Sequence, residues 1–188
     1  MKRIILGALN APLLILCVAV GLALQSSLFY SYPFLYLQPD VVLLAVIWCS
    51  LRRSFTEGGI LTLIFGNLAE IHSGAPQGLF LISYMAVYLS MRALARFFVI
   101  ADQYALVAWT LGMSVFWKLC NLFVLYLMNL ASHQWRHTLV LLAPGAVMNG
   151  ILAVWAYRWL TRLDWATFKS ERARQSEGED LQLEAEGF

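Results

Sequence analysis

Residues 38–53 read QPDVVLLAVIWCSLRR, an apolar run with a proline and an aspartate before it and two arginines after it. Pro39 cannot donate a backbone hydrogen bond, and a proline biases the residue before it away from helical backbone. Asp40 is a favourable helix N-cap because its carboxylate can accept hydrogen bonds from the first free amides. The pattern predicts an apolar segment over Pro33–Leu51 that is interrupted at Pro39-Asp40.

The interruption has two interpretations. In a membrane, a broken helix exposes backbone groups, which is tolerated only against protein or a water-filled cavity, and in transporters such breaks often mark the binding site. The simpler interpretation is that Pro39-Asp40 starts a short helix at the outer surface. We favour the simpler interpretation.

The rest of the chain is also unusually apolar, with 61% hydrophobic and 13% charged residues among 188. A soluble domain of this size cannot bury so much apolar surface, and lipid is the natural solvent for the excess. The formal net charge of +2 and the lack of a basic cluster interleaved with aromatic residues argue against nucleic-acid binding. Five further apolar segments accompany Pro33–Leu51: Ile4–Leu24, Phe55–Ile71, Gln77–Phe98, Tyr104–Asn129 and Thr138–Leu160.

The basic residues alternate along the connections between these segments. Eleven of the 13 fall at every second connection or at the termini: Lys2, Arg3, Arg52, Arg53, Arg92, Arg96, Arg158, Arg162, Lys169, Arg172 and Arg174. This positive-inside pattern predicts an even number of spans with both termini in the cytoplasm of a bacterial inner membrane. We therefore expect an all-α, multi-pass bundle of six transmembrane helices, with four spans plus a re-entrant hairpin as the alternative.

The composition changes near the C-terminus. Residues 1–162 form the predicted six-helix transmembrane domain. Residues 163–188 form a cytoplasmic charged tail, which we expect to be partly disordered because it is polar and ends in an acidic run. A partner-binding role for this tail is the second interpretation.

Polar residues inside apolar segments mark a candidate internal site. Lys118 lies near the middle of its segment, where a charge costs about 2.5–3.5 kcal/mol on insertion scales and normally faces protein or a cavity. Glu70 lies at a similar predicted depth, so the two side chains are candidates for an ion pair or for one shared polar cavity. The full candidate set comprises Asp40, Asn67, Glu70, Lys118 and Asn121.

Recognisable catalytic patterns are missing from the sequence. There is no GxSxG, HExxH or Walker loop, and the three cysteines and three histidines form no metal-ligand set. We predict a protein that is not an enzyme and that has no cofactor, no metal site and no catalytic residues.

One part of the chain resembles a known family. Residues 38–44 (QPDVVLL) open a segment, and residues 66–78 (GNLAEIHSGAPQG) close the next one. A Pro-Asp before one span, followed by a glycine-bearing span that ends in an acidic residue and Ser-Gly, is similar to the MreD family of bacterial rod shape-determining proteins. Gln38 and Glu70 depart from the family pattern, in which a basic residue and an aspartate are usual.

The resemblance implies a non-enzymatic membrane scaffold of the elongation machinery, or elongasome. Such a protein would bind a MreC-like membrane protein and, indirectly, the MreB filament and the RodA–penicillin-binding-protein synthase. It would help to direct lateral peptidoglycan synthesis and maintain rod cell shape. The family is also similar in fold to the substrate-binding subunits of energy-coupling-factor transporters, which makes a central pocket plausible.

A partner helix would contact this protein where small residues let the two helices approach closely. In lipid, burial of apolar surface contributes little to helix association, so close packing is needed. The candidate helix-packing or partner contacts are Pro39, Gly58, Gly59, Gly66, Gly74 and Gly78. The alternative function is a small-solute transporter, or a substrate-binding subunit of one, that uses the polar residues near Lys118.

Overall fold

The protein is described by a computed structural model that covers residues 2–29, 37–95, 97, 103–129 and 135–167. These residues form six helices and no strands, as the apolar segments predict. The helices are α1 (Lys2–Leu28), α2 (Val41–Arg52), α3 (Phe55–Ser73), α4 (Leu79–Leu94), α5 (Gln103–Leu127) and α6 (Trp135–Ala166). Two stretches within them, Leu9–Leu28 and Gln103–Leu127, are long and apolar enough to cross a membrane.

The second helix is the axis of the molecule. Every residue from Val42 to Ser50 is buried, and α2 contacts all five other helices. The other helices form a ring around it in the order α1, α3, α4, α5, α6, and the ring closes through contacts between α6 and α1. A helix that is apolar on all sides is expected at such a buried position.

The start of α2 differs from the predicted segment Pro33–Leu51. The helix has 12 residues and begins at Val41, so it is about 18 Å long at the helical rise and shorter than the hydrocarbon layer. Asp40 has extended backbone (φ −103°, ψ 96°), and its side chain accepts a hydrogen bond from the Leu43 amide, which confirms that Pro39-Asp40 starts the helix. Residues 30–36 lie outside the described part of the chain.

The end of α6 also differs from the sequence prediction. The helix continues to Ala166, so the predicted domain boundary at residue 162 falls inside it. Asp164 and Thr167 are buried rather than part of a solvated tail. The predicted disorder of the remaining tail falls on residues 168–188, which lie outside the described residues.

A cluster of polar side chains explains why α6 extends so far. Arg53, which is only 4% exposed, uses its Nη2 to donate to Asp164 Oδ1 and, over 2.6 Å, to Asn10 Oδ1. The Asn10 amide donates in turn to Asp164 and Thr167. This group of four residues, hereafter the Arg53 cluster, joins α1 and α6 to the C-terminal end of α2.

The outer surface of the ring is apolar. Large hydrophobic side chains are exposed on every ring helix, including Leu16 (59% exposed), Ile71 (77%), Leu89, Phe123 and Ile151. Exposed apolar surface on this scale marks contact with lipid or with another protein.

Candidate functional site

A cavity of about 350 Å³ lies inside the ring beside the N-terminal end of α2. It occupies the axis of the bundle because α2 begins only at Val41. Each ring helix contributes at least one polar side chain to its wall: Gln25 of α1, His72 of α3, Tyr84 of α4, Lys118 of α5 and Asn149 of α6, together with Asp40. We call this space the Asp40 cavity.

Asp40 organises one side of the cavity. Its Oδ1 accepts from the Leu43 amide over 2.9 Å, and its carboxylate accepts from the Tyr84 hydroxyl at 2.8 and 3.0 Å. Its own amide donates to Asn149 Oδ1 over 2.7 Å. The first amides of a helix have no partner within the helix, so these side chains from α4 and α6 stabilise the buried start of α2.

Side-chain amides complete this arrangement. Gln25 Oε1 accepts from the Val41 amide over 3.2 Å, which ties α1 to the same helix start. Asn149 Nδ2 donates to Ser114 Oγ over 3.2 Å and so links α6 to α5. The wall of the cavity is therefore held in place by hydrogen bonds between elements that are distant in sequence.

Lys118 lies on the wall formed by α5 and α6. Its Nζ is 3.6 Å from the position that a Cβ atom would take on Gly145, which also lines the cavity. The missing side chain of Gly145 thus leaves space for the ammonium group. Asp40 and Lys118 give the cavity one negative and one positive charge.

Aromatic rings form an apolar part of the wall. Trp117 stacks on Phe80 with ring centroids 6.0 Å apart and on Tyr84 with centroids 5.5 Å apart. Trp117 Nε1 is buried and has no hydrogen-bond partner among the described residues. Buried indole N–H groups usually have a partner, so Trp117 is an exception among the described residues.

The structure separates the five predicted cavity residues. Asp40 and Lys118 line the cavity, whereas Asn67, Glu70 and Asn121 do not. Glu70 Oε1 accepts from the Leu81 amide over 2.9 Å, and Asn121 Oδ1 accepts from the Ser83 hydroxyl over 3.2 Å. Asn67 is exposed on the outside of α3.

The predicted proximity of Glu70 and Lys118 rested on equal depth along their helices. Depth does not fix the direction in which a side chain points around the helix axis. In the ring, α4 lies between α3 and α5, and Glu70 uses α4 as its partner. The structure therefore gives Glu70 a structural contact in place of the hypothesised ion pair.

The predicted contact glycines have roles inside the protein. A Cβ atom on Gly58 would lie 2.8 Å from the Tyr88 hydroxyl, and one on Gly66 would lie 3.0 Å from Leu81 Cα. Gly59 also faces Tyr88, and Pro39 is buried at the cavity. Gly74 and Gly78 have positive φ (64° and 88°) in the turn between α3 and α4, where a side chain would be strained.

Sequence reasoning missed several residues of the site. Asn149 is a polar residue within an apolar segment, the same signal that identified Lys118, and it could have been found in that way. Tyr84, Trp117 and Gln25 have no such signal because their residue types are common in and beside membrane segments. A comparison of the chain with protein-family models, curated proteins and solved structures finds no match.

Proposed function

We propose that the chain is a six-span protein of the bacterial inner membrane, with both termini in the cytoplasm, that acts as a non-enzymatic scaffold of the MreD type. In this role it binds a MreC-like membrane protein and helps to direct lateral peptidoglycan synthesis and maintain rod shape. Its links to the MreB filament and the RodA–penicillin-binding-protein synthase are indirect.

The six helices, the apolar ring surface and the positions of the basic residues support this membrane topology. Arg92 of α4 donates to the Ser50 carbonyl at the end of α2, over 2.8 Å. Arg52 donates to the Tyr157 hydroxyl of α6 over 2.7 Å. Basic residues of α2 and α4 thus lie at one end of the bundle, as expected for the cytoplasmic side.

The residues that carry the resemblance also have defined structural roles. Asp40 caps α2 and binds Tyr84, Gly66 allows α4 to approach α3, and Gly74 and Gly78 form the turn after α3. Each of these residues determines a helix start, a close helix contact or a turn, so the motif specifies part of the fold. This supports a resemblance to a family with the same motif.

A stripe of exposed residues along one face of α3 is the main observation that supports the scaffold proposal. The exposed residues Ile60, Leu63, Ile64, Asn67 and Ile71 follow one face of the helix. Asn67 lies six residues before Ser73, about 9 Å from the end of α3 at the helical rise. A side-chain amide at this position is unfavourable in hydrocarbon. A partner helix with a polar side chain could form a hydrogen bond with it, and one interhelical hydrogen bond contributes about 0.6–2 kcal/mol to association.

Site-specific photo-cross-linking in native membranes tests this proposal. A photoreactive phenylalanine analogue replaces Ile64, one turn from Asn67 on the same stripe, in one strain and, as matched controls, Leu16 of α1 or Ile151 of α6 in two others. Both control residues are at least as exposed as Ile64 but lie on other faces of the ring. We expect a MreC-like protein to be cross-linked from position 64 and not from the control positions.

The Asn67→Leu variant measures the energetic contribution of the amide. We expect it to reduce co-purification of the MreC-like partner while leaving the thermal stability of the isolated protein unchanged. Cross-linking of the partner at equal yield from all three positions would contradict the docking surface. Recovery of an ATPase pair with a coupling subunit, and of no MreC-like protein, would contradict the scaffold function itself.

A further inference from the structure

The Asp40 cavity has no role in the scaffold proposal, yet it is built from side chains of every ring helix and the start of α2. We propose that this cavity is a binding site for a small zwitterion, a molecule with one ammonium group, one anionic oxygen group and a compact apolar body. The inference is independent of the scaffold function, because it depends only on ligand binding.

The charges of the wall determine the ligand class. Asp40 and Lys118 line the same cavity, so a ligand with a single charge would be attracted by one of them and repelled by the other. A zwitterion can place its ammonium group toward Asp40 and its anionic group toward Lys118. Electrostatic complementarity of this kind provides selectivity between ligands.

The hydrogen-bonding capacity of the wall matches both ends of such a ligand. A carboxylate offers about four acceptor sites, so Asp40 can keep its bonds to Leu43 and Tyr84 and still accept from an ammonium group. An ammonium group has three donors, so Lys118 can keep its contacts within the protein and also donate to a ligand.

The aromatic wall and the cavity size match a compact apolar body. Phe80, Tyr84 and Trp117 present stacked rings beside the two charges. The volume of about 350 Å³ falls at the lower end of the range for small-molecule sites, about 300–1,000 Å³. A cavity with a few fixed polar groups on an apolar wall is the usual form of such a site.

Two sources provide this chemistry, a soluble amino acid and the headgroup of a zwitterionic phospholipid. The first arm of the test measures binding of L-phenylalanine to the detergent-purified full chain by equilibrium dialysis. Its matched ligands are 3-phenylpropionate, which lacks the ammonium group, and 2-phenylethylamine, which lacks the carboxylate. The second arm uses native mass spectrometry to compare retention of phosphatidylethanolamine with that of anionic phosphatidylglycerol.

We expect one of the two zwitterions to bind at least about tenfold more tightly than its single-charge analogues, since each lost charged hydrogen bond removes about that much affinity. A preference for phenylalanine would identify a soluble ligand, and a preference for phosphatidylethanolamine would identify a lipid headgroup. Equal binding of zwitterions and analogues, or no binding of either zwitterion, would overturn the proposal.

Two variants locate the binding. Lys118→Met removes the positive charge, and Gly145→Leu fills the space beside Lys118 without removing any charged group. Both should reduce zwitterion binding at least about tenfold, whereas the exposed control Ile151→Ala should not change it. If Lys118→Met does not fold, Gly145→Leu still decides the location. Unchanged binding to a folded Gly145→Leu protein would place the ligand elsewhere and overturn the inference.

Discussion

At the C-terminal end of α2, Arg53 is bonded to Asp164 and Asn10, and its guanidinium carbon lies 5.0 Å from the centroid of the Trp48 ring. At the N-terminal end, Asp40 receives its hydrogen bonds from Leu43 and Tyr84, and the opposite charge, Lys118, lies against Gly145 on the wall of a cavity. Both ends of one buried helix therefore carry a charged residue, and the charge at the N-terminal end borders a cavity.

The difference corresponds to two roles of buried charge, a structural role in the Arg53 cluster and the ligand-binding role that we propose for the Asp40 cavity. In the Arg53 cluster, opposite charges contact each other directly, which stabilises the packing of α1, α2 and α6. In the Asp40 cavity, charged groups border a space of about 350 Å³ that a ligand can enter. Sites of the second kind commonly reduce stability in exchange for function, and substitutions in the two regions should reveal this.

The largest effect is expected from Arg53→Met. The substitution removes the cation that is bonded to the buried Asp164 and paired with Glu57 over 3.3 Å, and breaking a buried ion pair typically costs about 3–5 kcal/mol of unfolding free energy. Chemical or thermal unfolding of the purified protein in detergent measures the loss. The matched control is Arg52→Met, which removes an exposed charge and should cost at most about 1 kcal/mol. Equal losses for the two variants would show that the Arg53 cluster does not stabilise the bundle.

A smaller loss is expected from Asp40→Ala. This variant loses the cap of α2 and leaves the buried Tyr84 hydroxyl without its acceptor, at a combined cost of about 2–3 kcal/mol. Tyr84→Phe keeps the cap and removes one hydrogen bond, so it should lose roughly half as much. The same unfolding measurement checks both variants. A loss from Asp40→Ala as large as that from Arg53→Met would remove the proposed contrast between the two ends.

A double substitution sharpens the comparison at the C-terminal end. Arg53→Met combined with Asp164→Leu removes both charges, and apolar replacement of a buried ion pair is often neutral or even stabilising. Because Glu57 and Asn10 also lose their contacts with Arg53, we expect the double variant to recover only part of the unfolding free energy that the single Arg53→Met variant loses. Additive losses in this double-mutant cycle would contradict a direct interaction between the two residues.

The smallest change in stability is expected from Lys118→Met. A partly buried ammonium group beside a cavity is replaced by an apolar side chain of similar length, and because functional sites commonly reduce stability, we expect a smaller loss of unfolding free energy than for Arg53→Met or Asp40→Ala. Lys118→Arg keeps the charge and serves as the control for ligand binding. A loss comparable to that of Arg53→Met would identify Lys118 as a structural residue.

The features that were predicted correctly from the sequence depend on patterns among residues that are close together in the chain. The six helices follow from apolar runs, and the start of α2 follows from Pro39, which cannot donate, and Asp40, which caps the next turn. The inward face of α5 also agrees with helical periodicity, since Ser114, Asn121 and Leu125 share one face of the helix and are all buried. All of these features depend on residues within about one or two helical turns of each other.

The tertiary structure alone decided which residues meet. Asp40 bonds to Asn149, 109 positions away, and Arg53 bonds to Asp164, 111 positions away. These pairings depend on the order of helices around α2, and a periodic pattern fixes the face of a helix but not its neighbour. The order of the helices also explains why Glu70 and Lys118 do not pair. Their helices, α3 and α5, are separated by α4. Sequence determined where each helix begins and which side is apolar, and only packing around the axis created the cavity and the Arg53 cluster.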